Sequence, residues 1–117
     1  MSYTDITSDS VEVFKAVMNK NGVSVVKAGA TWCGPCKRIA PDVEKIYLQL
    51  GENVQVYHID VDECPDIAGH LRIRKLPTFI SFVGGDKMDI LESSNIDEIK
   101  RFFKKVLLRA SVAGSIS

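Results

Sequence analysis

The sequence is short of cysteine, short of one-sided charge, and without a long apolar run. Its 117 residues contain three cysteines, an odd number. A small secreted scaffold would carry a denser, paired set, so a disulfide framework is not what holds this chain together. Fifteen basic residues balance fifteen acidic ones, for a formal net charge of zero. No chain-wide basic field is available for nucleic acid or an anionic membrane, and neither is expected as a partner. No apolar stretch approaches the roughly 20 residues that span a bilayer. The start, Met1-Ser2-Tyr3-Thr4-Asp5, has neither the basic flank nor the apolar run of a signal peptide. These shortages lead us to expect an intracellular, cytoplasmic protein in a reducing compartment.

What is present is concentrated in Ala30-Thr31-Trp32-Cys33-Gly34-Pro35-Cys36-Lys37. Two of the three cysteines stand three positions apart where an apolar strand gives way to a helical pattern. Residues at i and i+3 share a helix face, so both sulfurs can meet at its first turn. The free N–H groups and the helix dipole there favour a thiolate, the nucleophile of disulfide exchange.

The length suits one hydrophobic core, read as a single domain over residues 1–110 with a frayed tail over 111–117. Tyr3–Ile6 reads as a short edge strand. Ser8 or Asp9 can cap a helix carrying Val11, Phe14, Val17 and Met18, which Asn21-Gly22 ends through residues tolerating positive φ. Val23–Gly29 is nearly continuously apolar and predicts a strand buried on both faces. A helix follows from Cys36 to Leu50 with Gly51 as its stop. Pro41 inside it removes the N–H that would bond the Lys37 carbonyl and predicts a kink.

Val54–Asp60 is the next strand, parallel to the first through the intervening helix. A short helix follows near Pro65–Leu71, then a hairpin of Phe79–Val83 and Lys87–Leu91 about Gly84-Gly85-Asp86. Asn95 and Glu98 make a capping pair for a last helix with Ile96, Ile99, Phe102, Phe103, Val106 and Leu107 on one side. Lys104, Lys105 and Arg109 read as a solvated face near its negative end. The order β-α-β-α-β-α-β-β-α predicts an α/β fold, one mixed sheet with helices on both faces.

The hexapeptide Trp32-Cys33-Gly34-Pro35-Cys36-Lys37 resembles the active-site signature of the thioredoxin family. The resemblance extends to Pro41, to Asp60-Val61-Asp62, and to Ile73-Arg74-Lys75-Leu76-Pro77-Thr78, and covers roughly residues 8–110. It implies a thioredoxin fold, a central mixed sheet of four to five strands flanked by about four helices. It also implies a thiol-disulfide oxidoreductase, a monomeric carrier that reduces protein disulfides and is regenerated by a thioredoxin reductase. No bound cofactor is implied beyond a Cys33–Cys36 disulfide.

By the same resemblance, Cys33 is the exposed attacking thiolate and Cys36 the more buried resolving thiol. Gly34 and Pro35 hold the first turn, and Trp32 shields the sulfurs and docks substrate. Pro77 corresponds to the family's cis-proline against the disulfide, with Leu76 presenting backbone to an extended substrate. Four positions depart from the pattern. The buried aspartate usual six residues before the first cysteine is Lys27, and its lysine partner is His58. Two adjacent cations in a poorly solvated site disfavour each other. His58 is therefore expected neutral, and Lys27 neutral, paired with Asp60 or Asp62, or reaching solvent. Gly29 thins the packing behind the site. The groove glycine is replaced by Ser93 or Ser94, which narrows the groove.

The residues allow two other readings. A zinc site could nominate Cys64, His58 or His70 beside the pair, but the spacing is not that of a ribbon or finger, so no metal is expected. A binding or assembly module on the same fold, with altered redox tuning, is the alternative that Lys27 and Ser93 keep open. Cys64 reads as a bystander, although animal members of the family carry an extra cysteine nearby, which allows it a regulatory oxidation. His70 reads as a surface residue of the short helix.

Overall fold

A computed structural model describes residues 2–116. Five strands and four helices alternate: β1 Thr4–Asp5, α1 Val11–Lys20, β2 Val23–Gly29, α2 Gly34–Leu48, β3 Val54–Asp60, α3 Pro65–His70, β4 Thr78–Val83, β5 Asp86–Glu92 and α4 Ile96–Ile116. They form the one mixed sheet that the sequence predicts, and its strands lie in the order β1-β3-β2-β4-β5. The strand β2 lies at its centre, parallel to β3 and antiparallel to β4. Its near-continuous apolar run follows from that place, because both faces are covered.

Alternation along β2 divides the core in two. Val23 and Val25 face α2 and α4, packing with Ile39, Val43, Phe79 and Phe103. Val26 and Ala28 face the other way, toward Phe14, Met18, Ile67 and Phe82. Lys27 and Gly29 continue the first of these faces, so the lysine emerges under α2 rather than toward α1.

Several ends differ from expectation. Ser10, not Ser8 or Asp9, caps α1, its hydroxyl accepting from the Val13 N–H at 3.2 Å. The helix starts at Val11, one or two residues later than a cap at Asp9 or Ser8 would place it, which frees Asp9 for α3. There its carboxylate accepts from the N–H groups of Asp66 (2.9 Å) and Ile67 (2.9 Å), tying two segments far apart in sequence. Asn21 ends α1 extended (φ −88, ψ 148) rather than left-handed. Its side-chain amide donates to the Val17 carbonyl at 2.9 Å and closes the helix that way. The chain stays helical through Pro41.

The hairpin turn is as expected. Gly84 and Gly85 both adopt positive φ (57 and 89), which a two-residue turn of this hand requires. Asn95 caps α4, its Oδ1 accepting from Glu98 N–H at 3.0 Å. Lys105 and Arg109 are not a purely solvated face. Both reach Asp89 on β5, at 3.1 and 2.9 Å, and strap α4 to the sheet edge. The helix also continues to Ile116, past Ala110 where the tail was expected to fray. Ser111, Val112 and Ala113 carry no breaker, and propagating a formed helix costs far less than starting one, so the last turn accommodates Gly114.

The Asp9 bridge is testable. Asp9→Ala leaves two helix-start N–H groups without their acceptor, and is expected to cost about 1–2 kcal/mol. Urea unfolding of the two proteins side by side reads that difference.

Candidate active site

The site lies where β2 ends and α2 begins. Cys33 is the N-cap residue of α2, extended at φ −78, ψ 101. Its Sγ accepts from the Cys36 N–H at 3.2 Å. Pro35 sits in the first turn, where its missing N–H has no partner to lose. Cys33 and Cys36 are joined in a disulfide, with Cα atoms 5.3 Å apart. The spacing read from the sequence thus meets in space.

The expected difference in exposure is absent. Cys33 is 3% exposed and Cys36 6%, so the attacking sulfur is no more open than its partner. The bond to Cys36 and the N–H it accepts hold the Cys33 sulfur against the helix. What distinguishes the two sulfurs is therefore their surroundings. Cys33 takes the helix N-terminus, whereas Cys36 faces a cleft it shares with Gly29, Lys27, Lys37, His58 and Asp60. The opening at Gly29 is real, since a Cβ there would stand 3.6 Å from Cys36 Sγ, in ordinary contact.

On the other side of the disulfide residue pair, the Leu76–Pro77 peptide is cis and Pro77 is buried. Pro35, Arg38, Leu76, Pro77, Ser93 and Ser94 line one groove. Its far wall is tied down, with Ser93 Oγ accepting from Asn95 N–H at 3.0 Å and Arg38 donating to Ser94 Oγ at 3.1 Å. Trp32 is 66% exposed, and its Nε1–H donates to Asp62 at 2.7 Å. The indole is thus held at the rim by a charge-assisted bond while its face remains open.

Beneath Cys36 the sheet presents a row of side chains in register: Asp5 on β1, His58 on β3, Lys27 on β2 and Phe79 on β4. His58 is enclosed by two tyrosines, Tyr3 beside the edge strand and Tyr47 on the apolar stripe of α2. Tyr3 stacks on its ring at a centroid distance of 3.8 Å, and Tyr47 Oη lies 2.9 Å from Nε2. Burial, together with the Lys27 charge, pushes the His58 pKa down to about 3. His58 is neutral at physiological pH, as expected.

Lys27 is only 9% exposed, and burial draws its pKa below the usual lysine range, with the nearby Glu44 carboxylate acting against that. Neither expected partner takes it. Asp62 holds Trp32, and Asp60 accepts from the N–H groups of Asp62 (2.8 Å) and Glu63 (3.3 Å). Among the described residues, no carboxylate lies within 4 Å of its ammonium. Glu44 on α2 went unread because nothing in the helix pattern marks it; Tyr47 was visible only as one more apolar position of that stripe.

The remaining candidates sit elsewhere. Cys64 is a free, buried thiol at the start of α3, its Sγ 3.5 Å from the Ile6 carbonyl. Burial, with Asp9, Glu63 and Asp60 nearby, pushes its pKa up, which leaves a poor nucleophile. His70 packs edge-on to Phe14. Among the described residues no cluster of three or more His, Cys, Asp or Glu converges as a metal site, and no helix is long and apolar enough to cross a membrane.

Comparison with known proteins agrees with this geometry. The model of the family described as Thioredoxin matches residues 5–105. The thioredoxin of Malassezia sympodialis is 40% identical over 92 residues, spanning 78% of this chain and 88% of its own. That of Equus caballus is 33% identical over 101 residues, spanning 85% and 95%. Among solved structures, the crystal structure of the Malassezia sympodialis protein superposes with a TM-score of 0.81 at 36% identity, covering 90% of this chain and 93% of that one. Sequence, sheet order and the disulfide at the head of α2 agree: the chain belongs to the thioredoxin family, and its chemistry is thiol-disulfide exchange at Cys33–Cys36.

Proposed function

We propose that the protein is a reducing carrier for protein disulfides, with Cys33 as the attacking sulfur and Cys36 as the resolving one. The observation that carries the assignment is the Cys36 N–H donated to Cys33 Sγ at 3.2 Å, at the positive end of α2. A thiolate at that position is stabilised before attack, and a nucleophile of lowered pKa is present in quantity at neutral pH. The Cys33 thiolate attacks one sulfur of the target disulfide, and the other leaves as a thiolate. Cys36, deprotonated, then attacks Cys33 Sγ, releasing the reduced target and closing Cys33–Cys36.

Target recognition in this reading uses the groove and its rim. Leu76 and Pro77 offer an edge of backbone to an extended segment, Ser93 limits the width, and the exposed face of Trp32 adds apolar contact. Gly34 and Pro35 keep the first turn short, so the two sulfurs need little movement to rejoin. The oxidised carrier is returned to the dithiol by a thioredoxin reductase, and the protein works as a monomer in the cytoplasm. The low cysteine count and the absence of a one-sided charge field support that setting.

Reduction of insulin disulfides by dithiothreitol, followed by turbidity, tests the reading. The protein is expected to accelerate precipitation well beyond dithiothreitol alone. Equal rates would favour a binding or assembly module on the same fold.

A further inference from the structure

Lys27 is the buried cation that the exchange steps above leave unused. Alternation along β2 puts Lys27 and Gly29 on one face of the strand. Cys36 Sγ lies against that face, 3.6 Å from where a Gly29 Cβ would stand. The lysine stem leaves the strand two residues earlier, roughly 7 Å away, within the reach of its four carbons. Both side chains line the same cleft, which places the buried ammonium and the sulfur on one wall of it.

We propose that Lys27 is a positioning residue for the redox couple: its ammonium is the counter-charge of the Cys36 thiolate, and it makes the Cys33–Cys36 disulfide easier to reduce than a neutral side chain would. When a dithiol reductant attacks Cys33 Sγ through one thiolate, a new S–S bond forms as Cys33–Cys36 breaks. The electron pair of the broken bond leaves on Cys36 Sγ. The second thiol of the reductant, once deprotonated, displaces Cys33 as a thiolate and closes the reductant's own disulfide. Two electrons pass to the protein, and the two protons of the reductant go to the protein thiolates, to Lys27 where it is neutral, or to solvent. A neutral sulfur beside Lys27 thus becomes an anion.

The other charged and titratable groups around the cleft leave room for this pairing. Asp5 stands on β1, His58 and Asp60 on β3, Lys37 and Glu44 on α2, and Glu63 ahead of α3. His58 is neutral, so it neither competes for the thiolate nor repels the ammonium at pH 7. Asp60 is occupied by two backbone N–H groups. Glu44 supports the ammonium from the helix side but does not come within 4 Å of it. Lys37 adds positive charge of the same sense on α2. Burial alone works against the charged lysine, and the thiolate is the group that reverses the balance.

The inference rests on the exchange chemistry of the disulfide and not on which sulfur attacks first, because the couple's potential is the same by either route. Equilibration of the wild type, Lys27→Met and Lys27→Arg with glutathione redox buffer at pH 7 reads the constant directly. Lys27→Met is expected to shift it about tenfold toward the disulfide, about 30 mV more negative; Lys27→Arg stays within about twofold of wild type. A second reading needs no substitution at position 27. The Lys27 ammonium pKa, followed by NMR of the labelled side chain, is expected about one unit higher in the reduced wild type than in the oxidised. An unchanged constant in a folded Lys27→Met protein overturns the proposal. So do equal shifts for Met and Arg, or the same Lys27 pKa in both redox states.

Discussion

Cys36→Ser is expected to accumulate as a covalent adduct with a disulfide-bearing protein, whereas Cys33→Ser forms none. Both variants should fall to the background rate in insulin reduction, so the adduct, not the rate, separates the two sulfurs. Cys33 Sγ takes the N–H of Cys36 at the head of α2, a place that would stabilise a thiolate for attack. With serine at 36 the mixed disulfide on Cys33 has no neighbouring thiol to resolve it. Non-reducing electrophoresis after mixing with oxidised insulin reads the adduct and its sensitivity to dithiothreitol. An adduct on the Cys33→Ser protein instead would invert the assignment, and the equal burial of the two cysteines makes this a real test.

Acid is expected to cost the protein several kcal/mol through His58. Its folded pKa is held near 3, below the 6.5 of the free side chain, so the unfolded chain binds its proton first as pH falls. Stability from this group is fully present above about pH 6.5 and is lost progressively down to about pH 3, at about 1.4 kcal/mol per unit. The cause is the enclosure between Tyr3 and Tyr47 with Lys27 alongside, where an imidazolium would lose its solvation and face a like charge. Urea unfolding at intervals from pH 7 to pH 4 should show a steep decline in the wild type. The decline should be shallower in His58→Gln. Parallel curves for the two proteins would mean that His58 is not what titrates.

The same enclosure explains a functional consequence. Because His58 stays neutral, it adds no positive charge beside Lys27 on the floor of the cleft next to Cys36. The sheet row Asp5, His58, Lys27 and Phe79 delivers that arrangement by register alone. Altering any strand offset by one residue would turn the row to the opposite face.

Much of this was legible from residue order. The continuous apolar run of Val23–Gly29 implied a central strand, and it lies between β3 and β4. Cys33 and Cys36 at helical spacing implied sulfurs that can meet at the first turn, and they do. The family resemblance, rather than residue order, put Pro77, Leu76 and Ser93 about a groove, and with Pro35 these residues line one. What was not legible depended on distant partners. Asp62 could be assigned to Lys27 by proximity in the motif, yet its oxygen goes to Trp32 across the cleft. Asp9 carries the signature of a cap for the helix that follows it, but it caps α3, because local patterns do not encode which helix start lies nearby in space. Tyr3 and Tyr47 enclose His58 from an edge strand and from a helix, a convergence that no single period in the sequence reveals. The burial of Cys33 follows from closing the disulfide, a state the residue order does not specify.

The reduction potential of Cys33–Cys36 tests the central claim most directly. Equilibrated with glutathione redox buffer at pH 7, a reducing carrier is expected to lie at or below about −200 mV, on the side where the dithiol passes electrons to protein disulfides. A value near about −120 mV, where a disulfide is instead donated to its partners, would contradict the account.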